Sequence, residues 1–266
     1  MSDEFILSAQ EGGVLTLTLN RPATLNSFNE GMHRLLRAAL DGAADDPRVR
    51  CVVLTGAGRG FCAGQDLTDP LVSPAPPGEA PKDLGRAIET LYKPLVQRLR
   101  SMPVPVVAAV NGVAAGAGAN LALNCDLVLA ARSASFVQAF SRIGLVPDTG
   151  GTWLLPRLVG RARALGLAML GDKLAAADAE RIGLIWRCVD DAALPDEARD
   201  LARRLAALPL KALVATRRAI DNAQHLTLEQ ALDEEAATQA ELGRAHDYLE
   251  GVAAFAARRM PGFTDR

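Results

Sequence analysis

The sequence predicts an α/β fold, with helices packed on a mostly parallel sheet. Two observations lead there. Through the first half, short apolar runs alternate with stripes of helical period, and the second half is helical in pattern almost throughout. A third observation, one proline-rich stretch at 68–83, marks a loop inside this order.

The segment Val14–Leu19 (VLTLTL) alternates β-branched and apolar residues as a strand does, and Asn20 to Pro22 end it. Ser27 is a candidate N-cap for a helix striped by Met32, Leu35, Leu36, Ala39 and Leu40. Residues 51–55 (CVVLT) form a buried type of strand, broken by glycines at Gly56 to Gly60. The 68–83 stretch holds Pro70, Pro74, Pro76, Pro77 and Pro81 and little that could be buried, so it reads as a mobile lid over a ligand. A helix is expected from about Leu84 to Arg100. Residues 104–110 and 126–131 read as strands with a small-residue helix between them. Helical stripes then cover 175–182, 192–206, 211–223, 227–242 and 248–259, with breaks at Gly171, Gly183, Pro195, Pro209 and Pro261. The expected division is a core at 1–195 and a helical region at 196–266, without internal repeats.

At 266 residues, 49% hydrophobic and 23% charged, the chain is of globular composition and long enough for a sizeable core. A net charge of −2 and the lack of a long basic block argue against a nucleic-acid partner. Cys51, Cys62, Cys125 and Cys188 are far apart in sequence, form no C-x-x-C pair and have no histidine at ligand spacing. Reduced thiols are expected, and no metal. The opening MSDEFILS is acidic where a secretory signal is basic, and the apolar runs are too short to span a membrane, so the expectation is a cytoplasmic protein without membrane contact.

Three segments could carry chemistry. Residues 56–67 (GAGRGFCAGQDL) follow a strand, and their glycines leave backbone N–H groups open to a ligand, yet they lack the G-K-[ST] ending of a phosphate-binding loop. Residues 111–126 (NGVAAGAGANLALNCD) start a helix with small residues. That pattern suits either a ligand at the helix N-terminus or close helix–strand packing. In 144–151 (GLVPDTGG), Asp148 precedes a helix start. It reads as an N-cap or as a carboxylate aimed into a cleft walled by Val146, Trp153 and Leu154. His33, His225 and His246 have no nucleophile or ligand pattern nearby and read as packing or surface residues, and Arg157, Arg161 and Arg163 as a solvated helix face.

Together, in this order and spacing, these segments resemble the enoyl-CoA hydratase/isomerase (crotonase) family. LNRPATLNSF near the start, PVVAAVNGVAAGAG in the middle and GVAAFAARRMPGF at the end extend the resemblance over essentially the whole chain. The resemblance implies a spiral of ββα turns followed by a helical C-terminal trimerisation region, assembled as a homotrimer or dimer of trimers. It implies an acyl-CoA substrate and no cofactor beyond that CoA.

Matched residue by residue, the resemblance makes the backbone N–H groups of Gln65 and Ala117 an oxyanion hole and Asp148 the catalytic base. It makes Cys62, Ala63, Asp66, Leu67, Gly116, Phe255 and Arg258 substrate or CoA contacts, the last two from within the subunit or from across a subunit boundary. Asn120, Val137, Phe140 and Trp153 become pocket wall. Two departures stand out: family hydratases carry water-activating glutamates where this chain has Asn120 and Phe140. Thr24 also replaces a basic residue common among relatives, which weakens a CoA phosphate contact there. The implied reaction is therefore a 1,3-proton shift on a CoA thioester, in wording closest to members acting in aerobic phenylacetate breakdown. A general Δ3,Δ2-enoyl-CoA isomerase and a non-catalytic acyl-CoA-binding protein are the alternatives.

Overall fold

A computed structural model describes residues 4–266. Its larger sheet runs in the order β1 (Ile6–Glu11), β2 (Val14–Leu19), β3 (Cys51–Gly56), β5 (Val106–Val110), β7 (Leu127–Ala131) and β10 (Arg187–Val189). The smaller sheet runs β4 (Gly60–Cys62), β6 (Val113–Ala115), β8 (Ser135–Val137) and β9 (Lys173–Ala175). Pairing is parallel except for the β1–β2 hairpin and β9. The chain visits the sheets in step. β3 and β4, β5 and β6, β7 and β8 each place one strand in the large sheet and the next in the small one, and a helix closes each turn. The implied spiral of ββα turns is the observed fold.

The apolar runs explain the large sheet. β5 (VVAAV) is buried at every residue, and Cys51, Val52, Val53 and Leu54 of β3 are buried too, as central parallel strands covered on both faces must be. Helix α1 (Glu30–Asp45) buries Met32, Leu36, Leu40 and Ala43 in the shared core. Its N-cap is Asn29, not Ser27: the Asn29 carboxamide oxygen accepts the Met32 N–H at 2.9 Å. Strand β1 escapes the sequence reading because only Ile6 of its six residues is buried, so it shows no alternation. The three-residue strands β4, β6 and β8 are likewise too short to leave a period.

The helix expected at 84–100 is α2 (Leu84–Ala87), a π turn (Ile88–Tyr92) and α3 (Lys93–Arg100) in continuous succession. Between β6 and β7 lies α4 (Ala117–Leu123), and after the small sheet come α5 (Gly151–Leu170) and α6 (Ala176–Arg181). The expected boundary at 195 falls in the first turn of α7 (Leu194–Ala206). This helix buries Leu194, Ala198 and Ala202 and packs across β2, β3, β5 and β7, so the core extends through α7. The helical extension is α8 (Leu210–Ala223), α9 (Leu228–Leu242) and α10 (His246–Ala257). Among the described residues, no helix is long and apolar enough to cross a membrane.

The 68–83 loop has no regular structure, yet its start is anchored. The buried Asp69 carboxylate accepts the Glu30 N–H at 2.9 Å and the Leu71 N–H at 2.8 Å. Lys82 bridges back to the Pro70 carbonyl and the Ser73 hydroxyl.

Candidate active site

Strand β4 delivers Ala63, Gly64 and Gln65 to a point where a parallel bridge forms between Gln65 and Phe28. That bridge uses the Gly64 carbonyl, which accepts from Phe28 N–H at 2.7 Å, and the Asp66 N–H, which donates to Phe28 at 2.8 Å. Because successive N–H groups of extended chain point to opposite sides, the Gln65 N–H is turned away from Phe28. Among the described residues it has no acceptor.

The neighbouring strand β6 ends at Ala115, and the φ of 52° at Gly116, the N-cap of α4, lets the chain turn directly into that helix. Ala117 is the first residue of that helix, so its N–H has no intrahelical acceptor. Glycine at position 64 keeps the two segments close: a Cβ there would lie 2.8 Å from the Ala115 carbonyl oxygen and 3.4 Å from the Ala117 nitrogen.

Asp148 reaches the same place from the loop before α5. The N-cap of α5 is Gly150, so Asp148 is not spent as a cap. Its backbone carbonyl accepts from the Asn120 amide at 2.8 Å and from Gly151 N–H at 2.8 Å, and its carboxylate accepts the Thr149 hydroxyl at 2.7 Å. Thr149 is β-branched with φ 51°, a conformation that costs about 1–3 kcal/mol. The Asn124 amide, donating to the Thr149 carbonyl at 2.9 Å, helps hold it there. Burial pushes the Asp148 carboxyl above the ordinary carboxylate value, with the Thr149 hydroxyl working in the opposite direction.

Gln65, Gly116, Ala117 and Asp148 line one cavity of about 210 Å³. The rest of its lining is Ala63, Gly64, Leu67, Val72, Leu84, Ala87, Ile88, Tyr92, Ala139, Phe140, Ile143 and Leu145. Several expected residues stand elsewhere. Cys62 lies behind the wall, fully buried, with burial pushing its thiol up to about 12. Asp66 is paired with Arg21 at 3.0 Å and holds the loop of 21–27.

Three of the four proposed wall residues need correction, since only Phe140 lines the cavity. Asn120 is completely buried and is consumed by its bonds to Asp148 and Gln138. Val137 pairs in the small sheet, where its carbonyl accepts the Gly116 N–H. Trp153 lines a separate cavity, with the guanidinium groups of Arg100 and Arg157 over its ring at 4.7 and 4.2 Å from the ring centre. Of the other expected cleft residues, Val146 is exposed and Leu154 belongs to the core. Phe255 and Arg258 lie at the end of α10, Phe255 lining a different hollow with Tyr248 and Phe263 and standing 88% exposed.

Sequence reasoning missed Tyr92, which lines the cavity and donates to the Gln65 side-chain carbonyl at 2.7 Å. It also left His33 without a specific place. His33 is buried edge-on against Tyr92, with ring centres 4.3 Å apart. Neither ring nitrogen has a hydrogen-bond partner among the described residues. Burial pushes His33 down to about 4, opposed by the nearby Gln65 amide and Asp69 carboxylate.

A pH dependence of stability follows. The folded His33 stays neutral while the unfolded residue gains a proton below pH ~6.5, so its contribution is complete above that pH and is lost as pH falls toward 4. The full loss is roughly 3 kcal/mol. Urea midpoints at pH 7 and 4.5 should therefore differ less in His33→Leu than in the unchanged protein, and equal pH slopes would refute the assignment.

Comparison with known proteins gives the family. Residues 9–266 match the enoyl-CoA hydratase/isomerase family. The chain is 57% identical, over 99% of both chains, to 1,2-epoxyphenylacetyl-CoA isomerase of Escherichia coli K12. It is 35% identical, again over 99% of both, to 2,3-dehydroadipyl-CoA hydratase of the same organism. The crystal structure of an enoyl-CoA hydratase from Polaromonas sp. JS666 superposes with a TM-score of 0.90 at 37% identity, covering 97% of this chain and 99% of that one.

Proposed function

Because the chain belongs to the enoyl-CoA hydratase/isomerase family, we propose that it isomerises CoA thioesters by a 1,3-proton shift, and that 1,2-epoxyphenylacetyl-CoA, converted to oxepin-CoA, is its substrate. The observation that carries this is the composition of the cavity. Asp148 is the one carboxylate among its described lining residues, and it stands with the unpartnered N–H groups of Gln65 and Ala117.

The thioester carbonyl accepts from both N–H groups. Asp148 removes a proton from the carbon next to the thioester, and the negative charge passes to the carbonyl oxygen. Each such donor is worth about 3 kcal/mol in the transition state. For the epoxide, the C–C bond shared by the three- and six-membered rings breaks as the ring double bonds shift, both C–O bonds stay, and the seven-membered oxepin results. Asp148 then returns the same proton to the ring carbon two positions away, leaving a double bond conjugated with the thioester. No redox or metal step is needed, and CoA arrives with the substrate. The apolar lining supports the role of Asp148, since it keeps water off the enolate and holds the carboxyl at a more basic value than usual.

Phe140 and Asn120 argue against water addition. The first is a phenyl ring, and the second is an amide already committed to the Asp148 and Gln138 groups. Purified protein should convert 1,2-epoxyphenylacetyl-CoA faster than an unbranched 3-enoyl-CoA, followed by mass and absorbance. It should form almost no 3-hydroxybutyryl-CoA from crotonyl-CoA. Efficient hydration would overturn the isomerase reading, and preference for the unbranched chain would overturn the substrate.

Assembly in threes, in the cytoplasm, completes the reading. Leu228, Leu232, Leu249, Val252 and Phe255 of α9 and α10 are each more than half exposed, which favours burial against another copy. Light scattering at micromolar concentration is expected to give a mass of three, or a multiple of three, 28.0 kDa chains. A monomer would exclude it.

A further inference from the structure

One wall of the cavity carries chemistry that the proton shift does not use. Gln65, Tyr92 and Asp148 are the residues with polar side chains among the described lining; the others are Ala, Gly, Leu, Val, Ile and Phe. Asp148 is committed to the proton. Tyr92 donates to the Gln65 side-chain oxygen at 2.7 Å and so fixes the direction of the amide. Among the described residues the Gln65 amide nitrogen makes one long hydrogen bond, 3.3 Å to the Asp66 carbonyl, with the His33 ring nearby, so one of its two hydrogens is open to a ligand. Burial keeps the Tyr92 phenol protonated at any physiological pH. Its position on the π turn, which holds one residue more than an α turn and is common at functional sites, puts it on the cavity face with Leu84 and Ile88.

Donors placed in an apolar cavity discriminate strongly. Hydrocarbon against the Gln65 amide N–H leaves it desolvated and unpaired, whereas an oxygen atom on the ligand satisfies it; the Tyr92 hydroxyl is already satisfied by the Gln65 oxygen. We propose that the Gln65 side-chain amide N–H, aimed by Tyr92 as a positioning residue, binds an oxygen atom on the ring of the acyl group, and so selects oxygen-bearing cyclic thioesters over plain enoyl chains. This deepens the substrate reading above and rests on it. Gln65 then acts twice, its backbone N–H on the thioester oxygen and its side chain on the ring oxygen.

The test uses binding of inert thioesters, so it does not depend on turnover. Phenylacetyl-CoA and 2-hydroxyphenylacetyl-CoA differ by one ring oxygen and lack the ring alkene that the reaction needs. By calorimetry, the unchanged protein should bind the oxygenated ester about tenfold more tightly, the weight of one hydrogen bond between neutral groups. Tyr92→Phe, which keeps the ring against His33 and Phe28, should bring that ratio near one while leaving phenylacetyl-CoA affinity unchanged. Gln65→Leu should also bring the ratio near one, and is read by that ratio alone because Gln65 supplies a donor to the thioester as well. A ratio near one in the unchanged protein overturns the proposal. So does an equal loss for both esters in both variants, which would make the pair a structural brace. If the binding ratio behaves as expected but the epoxide is not converted, the substrate reading fails and the oxygen site stands.

Discussion

Asp148→Asn is expected to lower kcat/KM for isomerisation by ~10²–10⁴, the usual weight of a general base. Affinity for an inert acyl-CoA should survive, because the two backbone donors do not involve the side chain. The acid limb of the pH–rate profile of the unchanged protein should lie above the ordinary carboxylate value, since burial raises Asp148. The same shift fixes the sign of the stability effect. A carboxyl whose folded pKa is raised contributes stability at low pH that is lost as pH rises through the folded pKa, so at neutral pH the ionised, buried Asp148 is a cost. Asp148→Asn should therefore melt at an equal or higher temperature than the unchanged protein at pH 7–8, and the gap should close in acid. Turnover near the unchanged rate, or a lower melting temperature at pH 8 with a shifted circular dichroism spectrum, would remove Asp148 from its assigned role.

Gly118→Ala is expected to be almost as damaging without touching any reacting group. Gly118 sits in the first turn of α4, and a Cβ there would stand 2.2 Å from the Cys62 carbonyl oxygen and 2.7 Å from its sulfur. The oxygen is backbone and cannot rotate aside, so α4 and β4 must separate. These two elements carry Ala117 and Gln65, and a displacement of roughly 1 Å between donors costs ~10²-fold in rate. Overpacking should also destabilise the fold by about 1–3 kcal/mol. Gly166→Ala is the control: a Cβ at that position in α5 meets nothing within 4 Å, so the change should be neutral or slightly stabilising. Thermal unfolding and steady-state kinetics on both variants decide the matter. Unaltered turnover in Gly118→Ala would mean that the donors do not depend on this contact.

Much of the large sheet was legible because its strands are long enough to carry a period. VLTLTL gave β2 at its true limits, and CVVLT gave β3 to within one residue. The small sheet was not legible, since three residues leave no alternation to read, and the site is built at its edge. The glycine and alanine runs announced a close backbone approach without saying what approached, and the resemblance to a family supplied the ligand. Asp148 could be read from sequence only as cap or carboxylate; the positive φ of Thr149 and Gly150, which passes the cap to Gly150, decides between them. Trp153 is close to Asp148 in sequence and apolar, but the start of α5 turns it toward Arg100 and Arg157 and away from the cavity. Tyr92 was missed because a π turn has no sequence signature, and Asn120 was assigned to the wall because a substituted catalytic position invites a functional reading, whereas its buried amide is a tether.

That tether has an evolutionary consequence. The position where the family resemblance implies a water-activating glutamate in hydratases here holds Asp148, the proposed base, by its backbone, through the Asn120 amide and the Asp148 carbonyl. A glutamate at 120 could not donate that bond, and its charge would sit beside Asp148, raising the base further and loosening its loop. Nor would it add water alone, with Phe140 still in the second place. On the proposed roles, then, the two activities are coupled non-additively: Asn120→Glu is expected to lose isomerisation without gaining hydration, and positions 120, 140 and the 148 loop would have to change together.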